Sequence, residues 1–231
     1  SGIKVGKTTN NMSTLIKKNG GVNGAPDSKE MKSDNPITLE QFMSDEGLTL
    51  PGGGKVVWAS CNGPCRKFLK EGIEPFKQMV TDLDTYIQGL GGYTNHKIII
   101  DGMFRPIATQ QRLWDKSEKG GCKDSNGKSL QPNCGNLAAR PGTSNHGWGI
   151  AIDWKYTDKN GEALLASSNC SKPNDRWLSE QYAWLFQNSP NYGFVNTATL
   201  RDGFSSDEVW HWIYVGTDAF NYMTENPTSR G

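Results

Sequence analysis

TSNHGWGIAIDW, residues 143–154, joins a glycine-marked turn to an alternating strand. Successive side chains of a strand point to opposite faces, so Ile150, Ile152 and Trp154 share one face while Ala151 and Asp153 share the other. The apolar face needs a core, which turns Asp153 away from it. His146 precedes Asp153 by seven residues, an odd separation that an unbroken strand would split between faces. Gly147 and Gly149 let the backbone bend between them and bring both side chains inward.

EVWHWIYVG, residues 208–216, repeats the alternation near the other end of the chain. Trp210, Trp212 and Tyr214 alternate there with His211, Ile213 and Val215. Glu208, three residues before His211, is placed to approach from the preceding turn. Two imidazoles and the Asp153 carboxylate make a three-ligand zinc site with an open fourth position, and Glu208 suits a general base. On residue types alone a second reading stands: satisfied core or surface histidines, with an aspartate accepting hydrogen bonds beside a turn. The helical HExxH zinc motif is absent. His96, the third histidine, is expected to be a satisfied structural residue. Trp154, Trp210 and Trp212 are expected in the core, and Trp148, between two glycines, along the cleft.

Composition narrows the class. A net charge of +1 over 231 residues gives no electrostatic reason to expect nucleic acid as a partner. No apolar run reaches the length of a transmembrane segment, and the N-terminus lacks the basic, apolar, small-residue order of a signal peptide. The five cysteines do not form the paired CxxC of a structural zinc site. Local disulfides Cys61–Cys65 and Cys122–Cys134 are expected, with Cys170 left over and an oxidising compartment implied.

Along the chain, residues 1–52 read as a polar N-terminal arm or linker ending at PGGG, with one short helix in ITLEQFMSDEGL capped by Thr38. Residues 53–231 read as the folded domain. Apolar positions from Phe68 to Ile87 recur at helical spacing, a strand follows at HKIIIDGMF, and ATQQRLWDKSEKG is a second helix. GIAIDWKY and VWHWIYVG are strands, and WLSEQYAWLFQNS is a helix between them. The expected fold is α+β, with a single antiparallel or mixed sheet flanked by helices and the zinc site on the sheet.

SNHGWGIAID fits Ser-x-His-x-x-Gly-x-Ala-x-Asp, EVWH fits Glu-x-x-His, and DGMFRPIATQQRLWD places Arg105 between a strand and a Gln-bearing helix. In this order the motifs resemble the VanY-like zinc D-alanyl-D-alanine carboxypeptidases, part of a wider group with lysostaphin-type enzymes and the hedgehog domain. The resemblance covers roughly residues 70–220. It implies His146, Asp153 and His211 as zinc ligands and Glu208 as catalytic base. Arg105 would meet the scissile carbonyl or its oxyanion, and Ser144 would contact substrate near the metal. The implied activity is hydrolysis of peptidoglycan stem peptides near D-alanine, as a carboxypeptidase or endopeptidase. A non-catalytic zinc-containing binding module is the alternative on this fold. PGTSNHGWG also looks like bacteriophage lysins, which adds a virion-associated endopeptidase docked through the arm. The implied location is extracellular, periplasmic and cell-wall associated, or virion-borne.

Overall fold

The computed structural model describes residues 21–22, 25–26, 38–120, 144–164, 179–196, 209–216 and 219. Strands β1 (Gly21–Val22) and β2 (Ala25–Pro26) form a small antiparallel pair. β3 (Leu39–Gln41), β4 (Leu48–Thr49), β5 (Lys55–Trp58) and β6 (Lys67–Leu69) precede the long helix α1 (Lys70–Leu90). β7 (Lys97–Gly102), α2 (Ile107–Gly120), β8 (Ala151–Tyr156), α3 (Glu180–Asn188), β9 (Phe194–Asn196) and β10 (His211–Tyr214) follow.

The principal sheet has six strands in the order β4-β5-β7-β8-β10-β9. β5 and β7 run parallel, and the other neighbours are antiparallel, so the α+β fold holds a mixed sheet. A parallel pair requires a crossover, and β6 with α1 supplies it. Gly91, at φ 72, follows the last residue of α1.

α1 buries Ile73, Phe76, Met79, Val80, Leu83 and Ile87, a stripe at helical spacing that lies against one face of the sheet. Phe76 meets Trp154 at a ring separation of 5.2 Å, and Tyr182 of α3 meets Trp212 at 5.9 Å. Ile152, Trp154, Tyr156 and Trp212 are fully buried on that face. The opposite face holds a smaller apolar cluster of Ala151, Val195, Ile213, Val215 and Ala219. Asp153 and His211 share this second face, as the alternation in both strands requires.

Two segments differ from the periodicity. Residues 39–41, expected in a Thr38-capped helix, are extended and pair with Lys67–Leu69. Phe68 and Leu69 accordingly belong to a strand, and α1 begins only at Lys70. Leu39, Phe42 and Met43 satisfy a helical spacing, but backbone pairing with β6 and burial of Phe42 against Trp58, Phe68 and Phe76 outweigh local propensity. Phe42, Met43 and Leu50 are all core residues.

The PGGG segment wraps a buried carboxylate. A β-carbon on Gly54 would lie 2.1 Å from Asp84 Oδ1, and one on Gly52 would lie 2.6 Å from Oδ2. Asp84 accepts hydrogen bonds from Gly54 N at 3.1 Å and from His96 Nδ1 at 2.8 Å. Gln181 Nε2 reaches His96 Nε2 at 3.4 Å and donates to Thr157 O at 2.8 Å. His96 is thus the satisfied structural histidine expected, tying α1, β7 and α3 together.

Replacing Asp84 with Ala strands at least two buried donors, each costing about 1–3 kcal/mol. A loss of about 3 kcal/mol is therefore expected in denaturant unfolding. Burial lowers the His96 pKa, against the opposing pull of Asp84. The unfolded chain then takes up the proton more readily than the folded one. The His96 contribution is full above about pH 6.5, the ordinary histidine value, and is lost as pH falls below it.

Candidate metal centre

His146 reaches the sheet on a single 3-10 turn, Asn145–Trp148. Ser144 caps it, its Oγ accepting from His146 N at 3.2 Å. Gly149 ends it at φ 68, and a β-carbon there would lie 2.3 Å from Leu39 Cδ2. Conformation and space both favour glycine at this position. Successive residues of a 3-10 turn are about 120° apart, so His146 and Trp148 face different ways. Trp148 is accordingly a core residue, 1% exposed, and not a lining of the cleft.

The His146 ring is held from behind. Its Nδ1 donates to Met103 O at 2.6 Å, which leaves a lone pair on Nε2. That nitrogen lies 3.1 Å from Asp153 Oδ2. His211 stands directly opposite Asp153 in the β8–β10 ladder, with Nδ1 2.8 Å from Asp153 Oδ1. The His146 and His211 ring centroids are 5.0 Å apart. One potential ligand atom from each of His146, Asp153 and His211 falls within 4.8 Å of the others.

The electrostatics suit a cation. Burial pushes the His146 imidazole below its ordinary pKa, although Asp153 pulls the other way. Burial alone would raise the Asp153 carboxyl, but His146 and His211 outweigh it and hold the group ionised. His146 Nε2 and Asp153 Oδ2, 3.1 Å apart, are placed to share a proton or a cation between them. Two imidazoles and one carboxylate, with His146 oriented by a backbone carbonyl, fit a zinc ion.

Arg105 lies beside this group. Its Nη2 is 3.6 Å from Asp153 Oδ2, and its Nη1 donates to Gln110 Oε1 at 3.0 Å. Gln110 is buried in the first turn of α2. The backbone N–H of Arg105 donates to His146 O at 3.0 Å, coupling the two segments directly. β7 carries an irregularity between Ile100 and Gly102, opposite Trp154 and Asp153. Asp101, within it, pairs with Lys155 at 2.9 Å on the strand that bears Asp153.

The structure therefore brings together His146, Asp153, His211 and Arg105, with Ser144 engaged as the cap of the turn. Glu208 and the Cys122–Cys134 pair lie outside the described residues. Motif reading did not single out the Met103 carbonyl, because a backbone oxygen has no residue signature. The expected Cys61–Cys65 disulfide is present.

A family model described as VanY, D-alanyl-D-alanine carboxypeptidase, matches residues 78–217. No curated protein matches the chain. Among solved structures, the LD-carboxypeptidase LdcB is 18% identical, with 90% of this chain and 92% of that one covered and a TM-score of 0.50. The vancomycin-resistance D,D-dipeptidase VanXYg is 21% identical, with 70% of this chain covered and a TM-score of 0.44, and the chain spans 55% of its length. VanYB, solved with D-alanine-D-alanine, is 21% identical, with 88% and 91% of the two chains covered and a TM-score of 0.43.

Proposed function

Because this chain belongs to the VanY D-alanyl-D-alanine carboxypeptidase family, we propose that it is a zinc-dependent peptidase hydrolysing peptidoglycan stem peptides near D-alanine. The observation that carries this reading is the convergence of His146, Asp153 and His211 within 4.8 Å, with Arg105 alongside. A bound zinc ion supplies the acidity that activates water and the positive charge that polarises a carbonyl oxygen.

The chain's own residues perform the remaining work. His146, Asp153 and His211 would hold the ion, while Met103 O fixes the His146 tautomer. Glu208 takes a proton from the attacking water as its oxygen bonds to the scissile carbonyl carbon. Negative charge grows on the carbonyl oxygen, and the Arg105 guanidinium stabilises it more strongly in the transition state than in bound substrate. Gln110 keeps that guanidinium aimed. Glu208 then passes its proton to the leaving amine, restoring the carboxylate. Ser144 is assigned a place at the substrate's edge of the His146 turn.

A stem-peptide substrate and the Cys61–Cys65 disulfide both suit an extracellular or periplasmic location at the cell wall. Among the described residues no helix is long and apolar enough to cross a membrane.

Mass spectrometry of defined muropeptides, digested by the zinc-loaded chain, tests the proposal. Free D-alanine would mark a carboxypeptidase; new amino groups within cross-links would mark an endopeptidase. Binding to sacculi with every muropeptide left intact would replace the peptidase reading with a binding module.

A further inference from the structure

The Cys61–Cys65 disulfide has no part in the chemistry above, yet its loop runs directly into the strand behind the site. β6 follows Cys65 by one residue and contacts both catalytic segments through backbone hydrogen bonds. Lys67 O accepts from Phe104 N at 3.3 Å, beside Arg105, and Leu69 N donates to Gly149 O at 2.8 Å, at the end of the His146 turn. The three-residue strand therefore spans the two pieces of chain whose relative position sets the distance from Arg105 to the metal ligands.

The loop is held at several points. Ala59 N donates to Ile100 O at 2.9 Å, anchoring its start to β7. Arg66, between Cys65 and β6, donates through Nε to Cys61 O at 3.0 Å and through Nη2 to Asn62 Oδ1 at 3.2 Å. The same guanidinium pairs with Asp45 at 2.6 Å and lies 5.2 Å from the Trp58 ring centroid. Arg66 O accepts from Phe42 N at 2.9 Å, which brings β3 into register with β6. Cys61 itself is 1% exposed.

We propose that the disulfide-closed loop 61–65 and β6 act as a positioning brace, holding the Arg105 segment against the His146 turn in catalytic geometry. The proposal rests on the peptidase reading for its effect on turnover, but not for its effect on local structure. Opening the disulfide frees the loop at the end nearest β6. The two catalytic segments then keep their direct bond, Arg105 N to His146 O, but lose the rigid support behind it. A displacement of about 1 Å in a catalytic group lowers turnover by up to about a hundred-fold.

The test uses the full zinc-loaded chain with Cys61 and Cys65 both replaced by Ser, and a second variant, Arg66→Ala, that retains the disulfide. Amide hydrogen exchange and muropeptide turnover are measured well below the melting temperature. The expected result is faster exchange at Leu69, Phe104 and Arg105, with the central amides of α1 unchanged. With it, kcat should fall about ten- to a hundred-fold while KM stays within about twofold. Arg66→Ala should shift the same amides to a smaller degree. Unchanged exchange at those amides, a uniform rise across the chain, or undiminished kcat beside a lowered melting temperature would each overturn the brace. Failure of the wild-type chain to cut any muropeptide would instead remove the peptidase reading, and the exchange pattern alone would still decide the brace.

Discussion

Alanine at position 211 is expected to leave the sheet intact and abolish stoichiometric metal binding. His211 is the only member of the group contributed by β10, and it faces Asp153 across the β8–β10 ladder at 2.8 Å. The change removes one of the three potential ligand atoms and leaves two on neighbouring segments. Loss of even an outer-shell partner typically weakens metal binding about 10- to 100-fold, so loss of a direct ligand should exceed that range. The fold should survive because the apolar face of β10, carrying Trp212 and Tyr214, is untouched and fully buried. Elemental analysis after dialysis, paired with circular dichroism, reads both quantities. A folded variant that retains one zinc per chain would remove His211 from the ligand set. On the proposed mechanism turnover should fall with the metal, since Arg105 and Glu208 alone would not replace the acidity a bound ion would supply.

The residues of this cluster were legible in the sequence because strand alternation is a rigid rule. It placed Asp153 and His211 on the face opposite Trp154 and Trp212, and the ladder sets the two polar residues directly across from each other. The turn before β8 was only partly legible. Gly149 does end it at positive φ, but the 3-10 geometry that sends Trp148 into the core depends on one hydrogen-bonded turn whose type the glycine spacing does not specify. No strand is expected at β4, β5 or β9, and helix is expected at β3 and β6; each of these strands is two to four residues long, too short for either periodicity to emerge. Their role comes from tertiary pairing: Leu39 fills the space above Gly149, and Lys67 and Leu69 bond to both sides of the site. PGGG looked like a linker because glycine runs usually are. Here Gly52 and Gly54 admit Asp84, a contact across thirty residues of sequence that nothing local announces.

Replacing Glu208 with Gln should leave metal content and fold near wild type while turnover collapses. Glu208 lies outside the described residues, so its assignment rests on the Glu-x-x-His spacing to His211. His146, Asp153 and His211 already offer three potential ligand atoms, which on the proposed assignment leaves the glutamate available for proton transfer. Glutamine keeps the size of the side chain and most of its hydrogen bonding but cannot accept a proton at neutral pH. General base catalysis of this kind contributes about a hundred- to ten-thousand-fold, or about 3 to 5.5 kcal/mol of barrier. The loss belongs in kcat and not in KM, because the proton moves as the carbon–oxygen bond forms and hardly at all in the bound ground state. Single-turnover rates on a defined muropeptide, beside zinc analysis of the same preparation, separate three outcomes. Retained zinc with a collapsed rate supports the base. Retained zinc with a wild-type rate would assign proton transfer to another group. Loss of zinc would make Glu208 a ligand and displace Asp153 from the proposed ligand set.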